Sequence, residues 1–269
     1  MNTGFIGIGS MGGMLVRTFL RSRALEEENV WVANRSQAKL DALAANFQGI
    51  HIAGARQIAA QCDLIFLCLS AGDTAGVLAE MDPELSSAQL LLITAGAIPL
   101  KTLEARVPCR VARLIPSITQ EIGAGIALLM YGSRVSAEDR ALLQKLLGRI
   151  SQPIAIPETI ARPAIGLASG GPALLAHVLQ SMAEEAVRSN SELAPELARK
   201  LVLETAGATM RLMSEANMTT EEIIRRVAIP GGMTHLAIDI LSQYVPEAWR
   251  TMFRVTSERA TQAHRAVVL

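Results

Sequence analysis

The chain has 269 residues, of which 50% are hydrophobic, 19% charged and 3% aromatic, and its basic and acidic side chains balance at 25 each. This apolar content predicts a folded chain with a sizeable core, and the length suits two domains. A formal charge of zero and few aromatic rings argue against a nucleic-acid binder, which needs a basic surface. The apolar runs are shorter than the roughly 18 residues of a membrane span, so we expect no membrane segment.

Cysteine and histidine usage indicates neither a disulfide framework nor a metal site. The cysteines are odd in number and form no CxxC pair: Cys62, Cys68 and Cys109. Such usage is typical of reduced thiols in a cytoplasmic protein. The four histidines are scattered without ligand spacing, so we expect no metal. The first residues, MNTGFIGIG, contain no basic segment or cleavage site, and we therefore expect a cytoplasmic location.

Strand and helix patterns alternate through about the first 150 residues. Apolar runs predict strands at residues 3–8, 30–33, 63–69, 90–94, 110–115 and 126–130. Helices are predicted at 11–21 and 37–46, the second with Ser36 as its N-cap. Continuously apolar strands such as DLIFLCL are typical of a parallel sheet covered by helices on both faces. We therefore predict a doubly wound α/β domain of the Rossmann type.

The pattern becomes helical from residue 166 almost to the end. Helices are predicted at about 172–189, 195–215, 220–227, 234–244 and 246–265. Two of them carry apolar residues at the spacing of a buried face: Leu175, Val178, Leu179, Met182, Ala186, Leu197, Leu201, Ala208, Leu212 and Met213. We place the domain boundary near residue 158, with a dinucleotide-binding domain at 1–158 and a helical domain at 159–269.

A glycine pattern of the form GxGxxG follows the first predicted strand and opens the first predicted helix. Its residues are Gly7, Ile8, Gly9, Ser10, Met11 and Gly12. In this context the first glycine permits a tight turn, the second lets backbone approach a pyrophosphate, and the third allows close packing of strand and helix. The helix N-terminus then faces the anion. The alternative is a tight turn that needs glycine without binding a ligand.

The end of the second strand indicates which dinucleotide is preferred. It reads Asn34-Arg35-Ser36, about 22 residues after the glycine loop. A site that prefers NAD(H) usually carries Asp or Glu there, for the ribose 2′-hydroxyl. No carboxylate stands at this point, and Arg35 and Ser36 can bind a 2′-phosphate instead. The sequence therefore favours NADP(H) over NAD(H), although a solvated arginine at a strand end is the alternative.

These residues and several later motifs together resemble the pyrroline-5-carboxylate reductase family along nearly the whole chain. The motifs, in order, are FIGIGSMG, NRS, ITAGAIPLKTLE, RLIPS, GLASGGPAL, TAGATMRLM and VAIPGGMTHLAIDIL. Of these the PGGxT near the C-terminus is the most specific. The resemblance implies an N-terminal Rossmann domain, a helical C-terminal domain that forms a homodimer or higher oligomer by interleaving, and NAD(P)H-dependent reduction of a cyclic imino acid.

The resemblance also implies roles for residues outside the glycine loop. Thr234 matches the position whose hydroxyl faces the substrate's ring nitrogen. The turn before it, Pro230-Gly231-Gly232-Met233, precedes a predicted helix, and the N–H groups of this backbone segment are suited to the substrate carboxylate. Further cofactor contacts fall at Leu69, Ser70, Ala95 and Gly96. Read without the family, the PGG turn is an interhelical turn with Thr234 as an N-cap.

The chain departs from the family near the expected nicotinamide and substrate positions. The place of a usual Lys-Pro pair reads Leu69-Ser70-Ala71, Ser117 replaces an asparagine, and Ile229 replaces a serine. The sequence CRVARLIPSIT in addition resembles reductase-like proteins encoded with late competence genes. A non-catalytic, regulatory paralogue that keeps the fold is therefore the main alternative function. A β-hydroxyacid dehydrogenase is a further alternative, but no lysine follows Gly170-Gly171 where that family needs one.

Overall fold

The computed structural model describes residues 1–265, and the side chains of residues 1–262. The chain divides into two compact units. Among the described residues, the first consists of Met1–Pro172 together with residues 257–265, and the second is Ala173–Thr256. The predicted boundary near residue 158 falls inside the first unit and remains a prediction. In the described part of the chain, every helix is too short or too polar to cross a membrane.

The first unit is built on one eight-stranded sheet. Its strands are β1 (Thr3–Ile6), β2 (Val30–Ala33), β3 (His51–Ile52), β4 (Leu64–Leu67), β5 (Leu90–Ile93), β6 (Arg110–Ile115), β7 (Ile126–Tyr131) and β8 (Gln152–Ala155). They lie in the order β3-β2-β1-β4-β5-β6-β7-β8. The chain winds outward from β1 on one side and from β4 on the other, so the direction of winding reverses between these two strands. In such sheets ligands bind beyond the carboxyl ends of the strands at this reversal.

Helices cover both faces of the sheet. They are α1 (Ser10–Arg21), α2 (Gln37–Ala44), α3 (Ala55–Gln61), α4 (Ala71–Met81), α5 (Leu100–Arg106), α6 (Ala137–Leu147) and α7 (Ala161–Ala168). On one face the buried Phe5 ring stacks on Phe66 with centroids 4.6 Å apart. Ile65 and Leu67 belong to the core of the other face. Burial on both faces explains the continuous apolar strands, and the predicted doubly wound α/β class is confirmed.

The sheet is not entirely parallel. β7 pairs antiparallel with β6, and β8 is parallel to β7. A crossover helix is needed to return a strand in the parallel direction. The connection from β6 to β7 contains only a short 3₁₀ helix, Ile118–Ile122, which ends at Gly123 with φ 68°. The chain therefore turns back directly. Pro153 lies in β8 at the edge of the sheet, where a missing N–H is tolerated.

The C-terminal region is helical, as predicted, but two predicted helices are one. Its helices are α8 (Gly171–Ser189), α9 (Pro195–Ser214), α10 (Thr220–Val227) and α11 (Met233–Arg265). The predicted break before Pro246 is wrong, because α11 continues through that residue. An internal proline removes one backbone hydrogen bond, and a long helix propagates on either side since each further residue adds one.

The predicted buried faces of the helical region are largely exposed in the single chain. Leu175 is 58% exposed, Met182 63% and Leu201 54%. Val178, Leu197 and Leu212 are exposed as well, whereas Leu179, Ala186 and Met213 are half-buried. Among the described residues of the second unit, those classed as buried are Ala183, Ala198 and Ala228. The predicted apolar faces are therefore present on these helices, but at the exposed positions they are not covered within one chain, because the second unit has too few neighbours of its own.

Candidate functional site

The glycine loop joins β1 to α1 in the geometry expected for a dinucleotide-binding turn. Gly7 has φ 90°, a conformation that side chains rarely adopt, and a Cβ there would lie 2.5 Å from the carbonyl oxygen of Cys68. The N–H of Gly7 donates to the carbonyl of Ala33 at 2.9 Å. The loop is thereby held against the ends of β2 and β4, and only glycine fits this position.

The other two glycines of the loop face different surroundings. A Cβ on Gly12 would lie 2.0 Å from the carbonyl oxygen of Gly7, so this glycine lets α1 pack closely on the turn. A Cβ on Gly9 would meet no atom within 4 Å. Gly9 precedes α1, whose first turn carries no acidic residue and receives no side-chain cap. The free space and unpaired N–H groups at this helix end suit an anionic group such as a pyrophosphate.

Asn34 ties the end of β2 to the glycine loop. Its Oδ1 accepts from the N–H of Ile8 at 3.1 Å, and its Nδ2 donates to the carbonyl of Ser36 at 3.3 Å. Ser36 occupies the N-cap position of α2, but its side chain makes no capping hydrogen bond. Ser36 therefore stands at the predicted N-cap position, but the expectation that its hydroxyl caps the helix is wrong. That hydroxyl is not committed to the helix and can serve a ligand instead.

A cleft of about 680 Å³ lies beyond the carboxyl ends of β1, β2 and β4. It brings together six residues predicted from sequence for cofactor binding: Gly7, Gly9, Asn34, Arg35, Leu69 and Ser70. Ile8 and Ser10 line an adjoining hollow of about 460 Å³ with Gly9. Ser36 and Gly96 do not line either space. Met11 is half-buried against the core, and Ala95 is buried.

Three charged residues that were not predicted from the sequence also line the cleft: Lys39, Asp73 and Glu80. Lys39 lines it from the first turn of α2, and Asp73 lines it from the first turn of α4. The sequence spacing could have indicated Lys39. It lies three residues after Ser36, so the first turn of a helix that begins there keeps Lys39 near the end of β2. The Ser70-x-x-Asp73 spacing was a usable signal for Asp73, since it marks a helix N-terminus.

Arg113 supports the loop that follows β5. Its guanidinium is almost completely buried and donates to the carbonyl of Ala95 at 3.2 Å and to that of Ile98. Its Nη1 lies 2.6 Å from Oε1 of Glu158, which also accepts from the N–H of Leu100. Sequence inspection used Arg113 only as part of the RLIPS motif and did not give it this role.

The thiols near the sheet are poor nucleophiles at neutral pH. Burial raises the pKa of Cys68, which lines the cleft, from 9.0 to about 12. Burial, with the negative charge of Asp63 adding to it, raises the pKa of Cys62 to about 12. Burial also raises the pKa of Cys109 to about 11. Since the thiolate is the reactive form, the cleft carries no activated cysteine.

The predicted substrate residues lie in the second unit. Gly231 has φ 77°, and the N–H of Gly232 donates to the carbonyl of Ile229 at 2.9 Å, closing a tight turn before α11. Met233 begins this helix and Thr234 follows it in the first turn, with an exposed side chain. The N–H groups of such a turn are suited to a carboxylate, and the Thr234 hydroxyl is open to a ligand. The substrate-binding roles of Pro230, Gly231, Gly232 and Met233 and the catalytic role of Thr234 remain predictions.

Comparisons with known proteins match the two parts of the chain to two family models. Residues 158–265 match a model described as pyrroline-5-carboxylate reductase dimerisation, and residues 2–97 match one described as NADP oxidoreductase, coenzyme F420-dependent. "Pyrroline-5-carboxylate reductase 3" of Bacillus subtilis is 29% identical over 94% of this chain and 93% of its own. "ComE operon protein 4" of the same organism is 28% identical over 95% and 94%.

The solved structures agree in fold. A pyrroline carboxylate reductase of Plasmodium falciparum, solved with NADP bound, matches with a TM-score of 0.83 at 20% identity, over 99% of this chain and 98% of its own. The predicted resemblance to the pyrroline-5-carboxylate reductase family is confirmed, and the chain is also similar to the relative named "ComE operon protein 4". The N-terminal Rossmann-like fold and the helical C-terminal region are confirmed with it.

Proposed function

We propose that this chain, a divergent relative of the pyrroline-5-carboxylate reductases, is an NADP(H)-dependent reductase of a cyclic imino acid. The observation that carries the proposal is the glycine loop beside the cleft. Gly7 and Gly12 are required by contacts within the protein, whereas Gly9 faces open space at an uncapped helix N-terminus. A glycine that no protein atom requires, placed where a pyrophosphate fits, is explained by a dinucleotide.

The residues around the cleft fit NADP(H) on their own chemistry. Arg35 and Lys39 place two positive charges near the end of β2, and the Ser36 hydroxyl makes no capping hydrogen bond to α2. These groups would hold the ribose 2′-phosphate, and Gly9 with the first turn of α1 would hold the pyrophosphate. Bound nicotinamide supplies the hydride. Arg113 keeps Ala95 and the loop after it in place through hydrogen bonds to their carbonyls.

The second unit would supply the substrate contacts. We assign the carboxylate of the imino acid to the turn formed by Pro230, Gly231, Gly232 and Met233. Thr234 would donate a hydrogen bond to the ring nitrogen as it becomes an amine. A protonated imine already carries its proton, so the reaction requires no histidine or lysine base. A turn suited to an anion next to one hydroxyl supports a substrate that carries a carboxylate beside its imine nitrogen.

Assembly into a homodimer, or a higher homo-oligomer, is part of the proposal. The second unit leaves large apolar side chains exposed along α8, α9 and α11, and residues 158–265 match a dimerisation model. A second copy of the chain would cover them. We also place the protein in the cytoplasm, because its three cysteines are free and two of them are buried.

The decisive experiment is NADPH oxidation with pyrroline-5-carboxylate, alongside NADPH binding by calorimetry. We expect turnover by the native protein and a loss of about 10- to 1000-fold in Thr234→Ala with NADPH affinity unchanged. Ser242→Ala, a hydroxyl deletion further along α11, is the matched control and should retain full turnover. Turnover unaffected by Thr234→Ala would refute the role of that residue.

A regulatory function is the second candidate, and one sequence observation favours it. Ser70, Ser117 and Ile229 depart from the family at positions near the expected site, and a relative named "ComE operon protein 4" covers nearly the whole chain. Tight NADPH binding without turnover of pyrroline-5-carboxylate or other cyclic imino acids would favour this candidate over the reductase.

The preference for NADP(H) has its own test in Arg35. We expect the native protein to bind NADPH more tightly than NADH, and Arg35→Asp to reduce or reverse this preference by about 1–3 kcal/mol. Equal affinities for the two cofactors, unchanged in the variant, would refute the preference while leaving the reductase proposal intact.

A further inference from the structure

We propose that Asp73 limits the discrimination between NADPH and NADH by competing with the 2′-phosphate for Arg35. The inference rests on the proposed binding of NADP(H) in the cleft. It assigns to Asp73 the role of a specificity-determining residue, and it predicts that the native protein can also use NADH.

The pairing of the two side chains is direct. Nη1 of Arg35 lies 3.2 Å from Oδ1 of Asp73, and Nη2 lies 3.5 Å from Oδ2. The guanidinium thus presents two nitrogens to the two carboxylate oxygens, which is the geometry by which arginine also binds phosphate. A 2′-phosphate at Arg35 must therefore displace Asp73 or share the guanidinium with it.

Asp73 is the fixed member of the pair. Its Oδ2 accepts from Oγ of Ser70 at 2.7 Å, and its N–H donates to the same Oγ at 3.2 Å, so the carboxylate is held at the first turn of α4. The Arg35 side chain is 87% exposed, against 37% for Asp73. When a ligand arrives, Arg35 can move and Asp73 stays.

The charge of the cleft as a whole is consistent with weak discrimination between NADPH and NADH. Its lining carries two basic side chains, Arg35 and Lys39, and two acidic ones, Asp73 and Glu80, so their formal charges cancel. A 2′-phosphate brings about −1.5 to −2 charges at neutral pH and is repelled by Asp73. A 2′-hydroxyl brings none, and a carboxylate is the usual acceptor for it. Asp73 therefore weakens NADPH binding and favours NADH.

Asp73 also stabilises the N-terminus of α4, and the test must separate this role from selectivity. A helix-capping contribution acts on the stability of the protein and affects both dinucleotides equally. The ratio of the two dissociation constants is therefore the informative measurement. It does not depend on capping, nor on whether the protein turns over any imine.

The experiment measures Kd for NADPH and NADH, and for 2′,5′-ADP and 5′-AMP, with native protein and Asp73→Asn at low ionic strength. We expect the variant to raise the preference for NADPH over NADH about three- to tenfold. The preference for 2′,5′-ADP over 5′-AMP should rise by a similar factor. Glu84→Gln is the matched control, because Glu84 pairs with Arg56 at 2.9 Å, is 32% exposed and does not line the cleft. It should leave both ratios unchanged.

The outcomes distinguish this inference from the function on which it rests. If the native protein binds the dinucleotides but Asp73→Asn leaves the ratio unchanged or lowers it, the role of Asp73 is refuted and the cofactor site stands. A shift of equal size in Glu84→Gln would also refute it, because the effect would then be one of overall charge. If the native protein binds neither dinucleotide, the proposed function fails and the inference fails with it.

Discussion

The guanidinium of Arg113 and the carboxylate of Glu158 form an ion pair, with 2.6 Å between Nη1 and Oε1, that joins β6 to the segment preceding α7. The Arg113 side chain is only 4% exposed, and its other donors reach the carbonyls of Ala95 and Ile98. A buried guanidinium requires such partners, because leaving it unpaired costs several kcal/mol. The pair therefore fixes the loop at the carboxyl end of β5.

Glu158→Gln should lower the free energy of unfolding by about 1–3 kcal/mol, since it leaves Arg113 buried without its countercharge. Urea titration at pH 7 measures the change. Glu84→Gln breaks an exposed ion pair of similar length and should cost less than about 1 kcal/mol. Equal losses in the two variants would show that the burial of Arg113 contributes nothing extra.

Gly9→Ala and Gly12→Ala should have different consequences. The Cβ of an alanine at position 9 meets no protein atom, so we expect the melting temperature to change by no more than about 2 °C, while NADPH affinity falls at least about tenfold. An alanine at position 12 would lie 2.0 Å from the Gly7 carbonyl oxygen and should lower both stability and affinity. Calorimetry and thermal melts measure the two quantities.

An unchanged NADPH affinity in Gly9→Ala would contradict the placement of the pyrophosphate at this loop. A loss of stability in that variant comparable with the loss in Gly12→Ala would instead contradict the description of Gly9 as facing open space.

Leu201→Glu should weaken self-association. Leu201 is 54% exposed in the single chain, on a helix of the region that matches the dimerisation model. We expect light scattering to give at least twice the 28.7 kDa chain mass for the native protein, and a shift towards the single chain at micromolar concentration for the variant. Ile52→Glu, at a 44% exposed position in β3, is the control and should leave the mass unchanged.

The raised pKa values of the three thiols predict a loss of stability at alkaline pH. Folding raises the pKa of Cys62 and Cys68 from 9.0 to about 12, so their contribution is fully present below pH 9 and is lost as the pH rises towards 12. At pH 10 each of these thiols ionises in the unfolded state but stays protonated in the folded state. This ionisation stabilises the unfolded state by up to about 1.4 kcal/mol for each thiol. Urea midpoints between pH 8 and 10 should therefore fall.

Replacing the three cysteines by alanine provides the control for that measurement. The variant should show a shallower fall between pH 8 and 10, whatever its stability at pH 8. An identical slope in the two proteins would assign the alkaline loss to other groups.

Local sequence determined most of the first unit. The strands at residues 30–33 and 110–115 coincide with β2 and β6, because runs of apolar residues bounded by turn residues have few alternatives to a buried strand. The glycine loop was equally predictable, since its spacing encodes a strand, a tight turn and a helix within six residues. Sequence also indicated the family, through motifs spread along nearly the whole chain.

Other features depended on contacts between residues far apart in sequence. Arg35 and Asp73 are 38 residues apart and Arg113 and Glu158 are 45 apart, and no local pattern brings either pair together. β7 runs antiparallel to β6 because no crossover helix connects the two strands. Likewise, α11 continues through Pro246 because the helix propagates on either side of that residue.

In the helical region, the sequence and the tertiary structure determine different features. Its 3.6-residue apolar spacing determined that the helices form and which faces are apolar, because that periodicity is a property of one helix. It did not determine what covers those faces. Only the tertiary structure revealed that Leu175, Met182 and Leu201 remain exposed within one chain, since burial depends on which surfaces the fold brings into contact.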